Sequence, residues 1–366
     1  MGFLLALAAL VLSYANGAND NFKGVATLYG AKVLPYRKAL IWATCTTFAG
    51  SIFSFLFSTK LISLFSGQGL VAPVVVQNSG FLIAVALAAA CTVMLATFFR
   101  FPISTTHSLV GALLGSGVAS GGLISLTALG KSFFIPLLIS PAVAVLITVI
   151  LYSAFHEFRM RTGVESSHCL CIGERQELVV GAPGLLTIRS SGVRVAVDEE
   201  EHCRIIYPGR LLGLNLQKMM DQFHIVSAGA VSFARGLNDT PKIAALLVFA
   251  PLLVPKLGPV LIASMMAIGG LIHSHRIART MSWNVTEMNP GQAFSGNFVT
   301  ALLVIFGSLL GFPLSTTHVS CGALFGIGIV SGTARKDVIL QILFAWVITL
   351  PIAAMLAAFF WFALNH

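Results

Sequence analysis

The 366 residues are 57% hydrophobic and only 10% charged, with a mean hydropathy of +0.90. A water-soluble domain cannot hide so much apolar surface, so lipid must be the solvent for most of the chain. The formal charge of +9 comes from basic residues scattered between apolar spans, the pattern of membrane loops, and no nucleic-acid partner is expected.

In chain order, the apolar stretch 3–12 reads as part of a first span and not as a cleaved signal, because a signal motif would run into polar Asn16 and Asp20. Uncharged stretches follow at 39–59, 81–99, 132–155 and 338–364. Each is near or above the ~20 residues that a spanning helix needs. Longer uncharged runs, 61–99 and 288–334, must each hold more than one membrane segment.

Two segments repeat. Residues 101–117 read FPISTTHSLVGALLGSG and residues 312–328 read FPLSTTHVSCGALFGIG, identical at 11 of 17 positions without a gap. Upstream lie Gly17-Ala18-Asn19-Asp20-Asn21-Phe22-Lys23 and Gly236-Leu237-Asn238-Asp239-Thr240-Pro241-Lys242. Asp20 precedes Pro102 by 82 residues and Asp239 precedes Pro313 by 74. The same motifs in the same order describe a duplicated domain, with repeats at 1–155 and 221–366. Lys32, Arg37 and Lys38 follow the first Asn-Asp element, whereas the matching loop of the second half has only Lys256. One span later the balance reverses, with Lys60 against Arg276 and Arg279 beside His273 and His275. Inverted repeats would gather five of these charges on one face, which the positive-inside rule places in the cytoplasm, with the N-terminus outside. Inverted repeats also place a transported substrate near the membrane midplane.

A polar insertion, 156–220, holds most of the acidic residues. Short strands are expected at 177–180, 185–188, 193–197 and 203–207, broken by Gly181, Pro183, Gly192 and Asp198-Glu199-Glu200-Glu201. This reads as a small cytoplasmic β-containing module or an ordered loop. His168, Cys169, Cys171, His202 and Cys203 match no standard zinc spacing and read as solvated loop residues, with no metal site. The six cysteines, Cys45 and Cys91 among them inside apolar spans, form no disulfide framework.

At 102–107 a proline breaks the chain and Ser104, Thr105 and Thr106 open a helical pattern too short to cross a bilayer. It reads as half of a re-entrant hairpin, tolerated at depth only where it is buried or lines a cavity. The hydroxyls, the free first-turn N–H groups and the positive helix end suit a tetrahedral oxyanion. Ser315, Thr316 and Thr317 repeat the arrangement. Asp20 and Asp239 lie in apolar surroundings that penalise an ionisable group by at least about 2.5 kcal/mol. They read as coupling-ion residues, with Asn19 and Asn238 offering carbonyl oxygen to a cation or N–H to an anion. His107 and His318 close each tip, either as titrating groups or as hydrogen-bonded packing residues. No nucleophile with a distinct acid–base set accompanies them, so neither an enzyme nor a cofactor is expected.

The paired Gly-x-Asn-Asp and Pro-x-Ser-Thr-Thr-His elements resemble the inorganic phosphate transporter (PiT) family over about residues 12–120 and 225–332. The resemblance implies an all-α polytopic membrane protein of two inverted repeats with re-entrant helical hairpins. It further implies a symporter of inorganic phosphate with sodium or protons, and commonly a homodimer. A multi-pass protein of the plasma membrane follows, and the short chain suits a bacterial inner membrane. Carried onto this sequence, phosphate would be held by Ser104, Thr105, Thr106, Ser315, Thr316 and Thr317 with Asn19 and Asn238, and the coupling ion by Asp20 and Asp239. Many sodium-coupled members carry Asn three residues after the Asp, where this chain has Lys23 and Lys242. An ammonium group there would occupy the place of a sodium ion and make the carrier proton-coupled or weakly coupled. Asn297 stands where a glutamate is common and would take over its polar role. Sulfate, equally tetrahedral, is the alternative cargo; it cannot donate a hydrogen bond at neutral pH, so carboxylates beside the anion favour phosphate.

Overall fold

The computed structural model describes residues 1–57, 59–163, 168–181, 185–199, 211–248, 257–284 and 288–365. Contacts divide the chain into one unit of Met1–Tyr152 with Ile225–His366, and a second of Ser153–His224.

The first unit is helical. Its elements are α1 (Gly2–Asp20), α2 (Ala26–Gly30), α3 (Tyr36–Ser54), α4 (Thr59–Phe65), α5 (Pro73–Val76), α6 (Ser79–Phe98), α7 (Thr105–Ala119), α8 (Leu126–Ala128) and α9 (Ile135–Thr162). After the insertion follow α10 (Leu216–Ala244), α11 (Gly258–His273), α12 (His275–Arg279), α13 (Pro290–Leu310), α14 (Thr316–Ser331) and α15 (Lys336–Asn365). Helices α9 and α10 run across the boundary of the units. Among the described residues, five helices are long and apolar enough to cross a membrane, and up to seven if each bent pair is one span. The uncharged stretch at 39–59 is not one straight span. Helix α3 ends at Ser54, and α4 leaves it at 91°. Exposed Leu138, Phe344, Val347 and Phe359 on the outer faces are what a lipid-facing surface requires.

Small residues decide how closely the helices approach, because in lipid it is close packing that holds helices together. Helix α1 packs on α6 and α11, α7 on α15 and α6, and α13 on α14. A Cβ at Gly17 would overlap the Met266 carbonyl of α11, and one at Gly269 the Tyr14 carbonyl of α1. Gly17→Leu is therefore expected to destabilise the protein by at least the ~1–3 kcal/mol of an overpacked core. Thermal unfolding in detergent measures this; an unchanged midpoint would show that the α1–α11 contact can spread at no cost.

The second unit holds a three-stranded antiparallel sheet in the order β2-β1-β3, from β1 (His168–Gly181), β2 (Leu185–Glu199) and β3 (Leu211–Asn215). The strands are longer than the sequence suggests. Gly192 does not end a strand: the register slips between Glu174 and Gln176 opposite it, so the glycine marks a β-bulge inside β2. Asp198 and Glu199 likewise pair with Cys169 and His168 and are not a break. The strand expected at 203–207, His202, Cys203, Pro183 and Lys256 lie outside the described residues. Among those described, no group of three or more His, Cys, Asp or Glu could hold a metal ion.

Candidate functional site

The first Asn-Asp element lies at the end of α1, and the second lies near the end of α10, which runs on through Asn238 and Asp239 to Ala244. Helix α1 ends at Asp20 and a 3-10 turn, Lys23–Val25, follows two residues later. In α10, Pro241 sits inside the helix, removing an N–H and freeing the carbonyl four residues back. In each half the lysine lies three residues beyond its Asp, close enough for the two side chains to meet.

Opposite them are the starts of α7 and α14. The Ser104 Oγ accepts from the His107 N–H at 3.2 Å, and the Ser315 Oγ from the His318 N–H at 3.2 Å, so both serines are N-caps. Thr105, Thr106, Thr316 and Thr317 occupy the first turns, where N–H groups have no partner within the helix. The rings of His107 and His318 lie 4.3 Å apart between centroids, and His318 stacks on Trp346 at 3.6 Å. Both rings are buried, and His107 Nδ1 and His318 Nε2 have no hydrogen-bond partner among the described residues.

The lysines join the tips through matching bonds. Lys23 is ion-paired with Asp20 and donates to the Ile103 carbonyl at 2.6 Å and to Thr317 Oγ1 of the other tip at 2.8 Å. Lys242 lies 3.4 Å from Asp239 Oδ1 and donates to the Leu314 carbonyl at 2.6 Å and to Thr106 Oγ1 at 2.7 Å. Each ammonium thus sits among a carboxylate, the carbonyl of its own half's tip and the second threonine of the opposite tip. The tips also touch directly, with Thr317 Oγ1 donating to the Ile103 carbonyl at 3.1 Å and Thr106 Oγ1 to the Leu314 carbonyl at 3.3 Å.

The asparagines anchor the same tips. Asn19 donates to Thr97 Oγ1 at 2.9 Å and to the Phe101 carbonyl at 3.1 Å; its Oδ1 is buried without a hydrogen-bond partner among the described residues. Asn238 donates to the Leu314 carbonyl at 3.1 Å and to Thr316 Oγ1 at 3.2 Å, and its Oδ1 accepts from Ser308 at 3.2 Å. Asn297 is not drawn in: its amide donates to Thr27 Oγ1 at 2.9 Å and reaches neither Asp.

Two further residues complete the centre. The Asn16 amide donates to Asp20 Oδ2 at 2.9 Å and to Asp239 Oδ2 at 3.2 Å, so one side chain bridges the carboxylates of both halves. It also donates to Thr105 Oγ1 at 3.0 Å, which in turn donates to Asp20 Oδ2 at 2.9 Å. Arg235, only 1% exposed, donates to Asn16 Oδ1 and Asn21 Oδ1 at 3.3 Å each. Asn16 and Arg235 each stand four residues before their Asp, one helical turn away on the same face; that spacing is the sequence signal for both. Three buried cations, Lys23, Lys242 and Arg235, against two carboxylates leave an excess positive charge. Buried charges on this scale are expensive, and in membrane proteins they mark substrate and ion pathways.

An interrupted first helix, half-length helices meeting tip to tip and a buried charged centre are the features of a membrane transporter. The chain belongs to the phosphate transporter family, whose family profile matches residues 16–357. It is 26% identical over 383 residues to the "probable low-affinity inorganic phosphate transporter" of Bacillus subtilis, covering 99% of this chain and 96% of that one. It is also 26% identical over 445 residues to inorganic phosphate transporter 2-1, chloroplastic, of Arabidopsis thaliana, covering 98% and 73%. In three dimensions it is similar to a solved structure titled "The sodium-dependent phosphate transporter", with a TM-score of 0.77 and 18% identity over 100% of this chain and 98% of that one. The protein is therefore a multi-pass membrane transporter and not an enzyme.

Proposed function

We propose that the protein is a symporter of inorganic phosphate whose two lysines stand where coupling cations would otherwise bind. The observation that carries this reading is the pair of oxygen cages. Lys242 Nζ lies 2.6 to 3.4 Å from a tip carbonyl, a threonine hydroxyl and a carboxylate, and Lys23 has the matching set. A carboxylate, a carbonyl and a hydroxyl are hard oxygen donors of the kind that ligate small cations. An ammonium in that cage neutralises the carboxylate from within and leaves the proton as the coupling ion.

Phosphate would bind between the tips, taking the hydroxyls of Thr105, Thr106, Thr316 and Thr317 and the first-turn N–H groups that Ser104 and Ser315 leave uncapped. The tips now bond to one another, so the anion would replace the tip-to-tip contacts and take over the lysine ammonium groups. Asn19 Oδ1 and the two carboxylates are acceptors for a phosphate hydroxyl, which sulfate lacks. Asn19 and Asn238 hold the tip carbonyls in place. Asn297, bonded to the Thr27 hydroxyl in α2, would support the ion site from the segment that follows Lys23.

The wider reading is of two inverted repeats, 1–155 and 221–366, around a cytoplasmic insertion at 156–220. The protein would lie in a plasma membrane, bacterial and inner, with its N-terminus outside, and would assemble as a homodimer. Internal correspondence supports the repeats, because Asp20, Lys23, Ile103 and Thr106 match Asp239, Lys242, Leu314 and Thr317 in both order and bonding. The cargo is tested by uptake of labelled phosphate into proteoliposomes with excess unlabelled sulfate. Uptake that resists sulfate is expected; suppression of uptake by sulfate would make phosphate the wrong substrate.

A further inference from the structure

A second group of basic side chains lies apart from the lysine cages. Arg100, His275, Arg276, Arg279 and Thr280 line a cavity of about 450 Å³. Arg100 joins α6 to the first tip, one residue before Phe101, whose carbonyl Asn19 holds. The others come from α12 and the turn after it. Arg100, His275 and Arg279 are exposed, and among the described residues none of the four basic side chains has an ion-pair partner.

Two features show that the group is built and not incidental. Arg100 has φ 64, a left-handed backbone that costs a non-glycine residue roughly 1–2 kcal/mol, and the Thr280 hydroxyl fixes its carbonyl at 3.2 Å. The Arg276 guanidinium lies 5.0 Å over the Phe98 ring, while its Nε is buried with no hydrogen-bond partner among the described residues. Unpaired arginines converging on one cavity raise the local positive potential, and a guanidinium's paired N–H donors fit the oxygens of a phosphate group.

The geometry points to a second binding site for a phosphate group at the mouth of the first hairpin, separate from the centre between the tips. In the transport reading, on which this site rests, it is an antechamber that gathers phosphate on the face bearing Arg276 and Arg279. A lipid phosphate headgroup presents the same chemistry, and the experiment separates the two sources.

His275→Cys places a thiol on the cavity wall and keeps all three arginines. In proteoliposomes of phosphatidylcholine, that thiol should react roughly tenfold or more faster with an anionic than with a cationic methanethiosulfonate, after correction for the unsubstituted protein. Millimolar phosphate should slow the reaction severalfold, and Arg276→Gln with Arg279→Gln should remove both effects. Protection by dissolved phosphate identifies a transported anion as the ligand. Protection that requires phosphatidylglycerol in the vesicles identifies a headgroup. Equal rates with both reagents, or no protection from either source, overturns the site. Phosphate uptake by the same His275→Cys vesicles is measured alongside: uptake without protection removes the antechamber and keeps the carrier, and protection without uptake does the reverse.

Discussion

Asp20→Asn and Asp239→Asn should each reduce phosphate uptake by roughly a hundredfold or more, because each leaves a buried ammonium without its counter-charge, an imbalance worth about 3–5 kcal/mol. The change is nearly isosteric, so packing is not the cause. Asp20 Oδ2 also accepts from Asn16 and Thr105. An amide could keep those bonds only by placing its oxygen there and turning its N–H₂ toward the Lys23 ammonium, donor against donor. Asp239 accepts from the same Asn16 amide at 3.2 Å, so a loss in either half disturbs both. If either variant fails to fold, Asp20→Asn combined with Lys23→Gln restores the charge balance of the unsubstituted centre. That double variant should run as a monodisperse species in detergent and still not transport. Normal uptake by both single variants would remove the two carboxylates from the mechanism.

Lys23→Asn with Lys242→Asn is the second large effect expected. Each substitution takes an ammonium out of its cage and supplies a carbonyl oxygen, leaving a carboxylate, a tip carbonyl and a threonine hydroxyl to share a cation. A carboxylate left unpaired at that depth is unfavourable, so the vacated position should recruit the small cation available in solution. Uptake in sodium-free medium should fall roughly tenfold or more, and sodium should restore a measurable part of it. Equal uptake by the double variant with and without sodium would mean that the lysines do not occupy cation positions.

The centre was legible because it is written twice. Neither Ser104-Thr105-Thr106 nor Asn19-Asp20 alone would separate a binding site from a helix cap, but their recurrence at Ser315-Thr316-Thr317 and Asn238-Asp239 selects them together. What the sequence could not display is the exchange between halves. That Lys23 reaches Thr317 and Lys242 reaches Thr106 depends on how the tips face each other, which no local pattern encodes. Asn16 and Arg235 escaped for a related reason, since the duplication places different residues at the equivalent position and a search for identical pairs passes over it. Asn297 was noted through family resemblance alone, and its bond to Thr27 could not be read from the sequence. In the sheet, Gly192 reads as a strand end because glycine is a common breaker, whereas the register shows a bulge within one long strand.

The central claim, that built-in ammonium groups stand where coupling cations would bind, is tested most directly by phosphate uptake into proteoliposomes of the unsubstituted protein, with sodium replaced by choline at constant pH. The account predicts that uptake persists in choline and follows an imposed proton gradient; uptake that vanishes without sodium would contradict it.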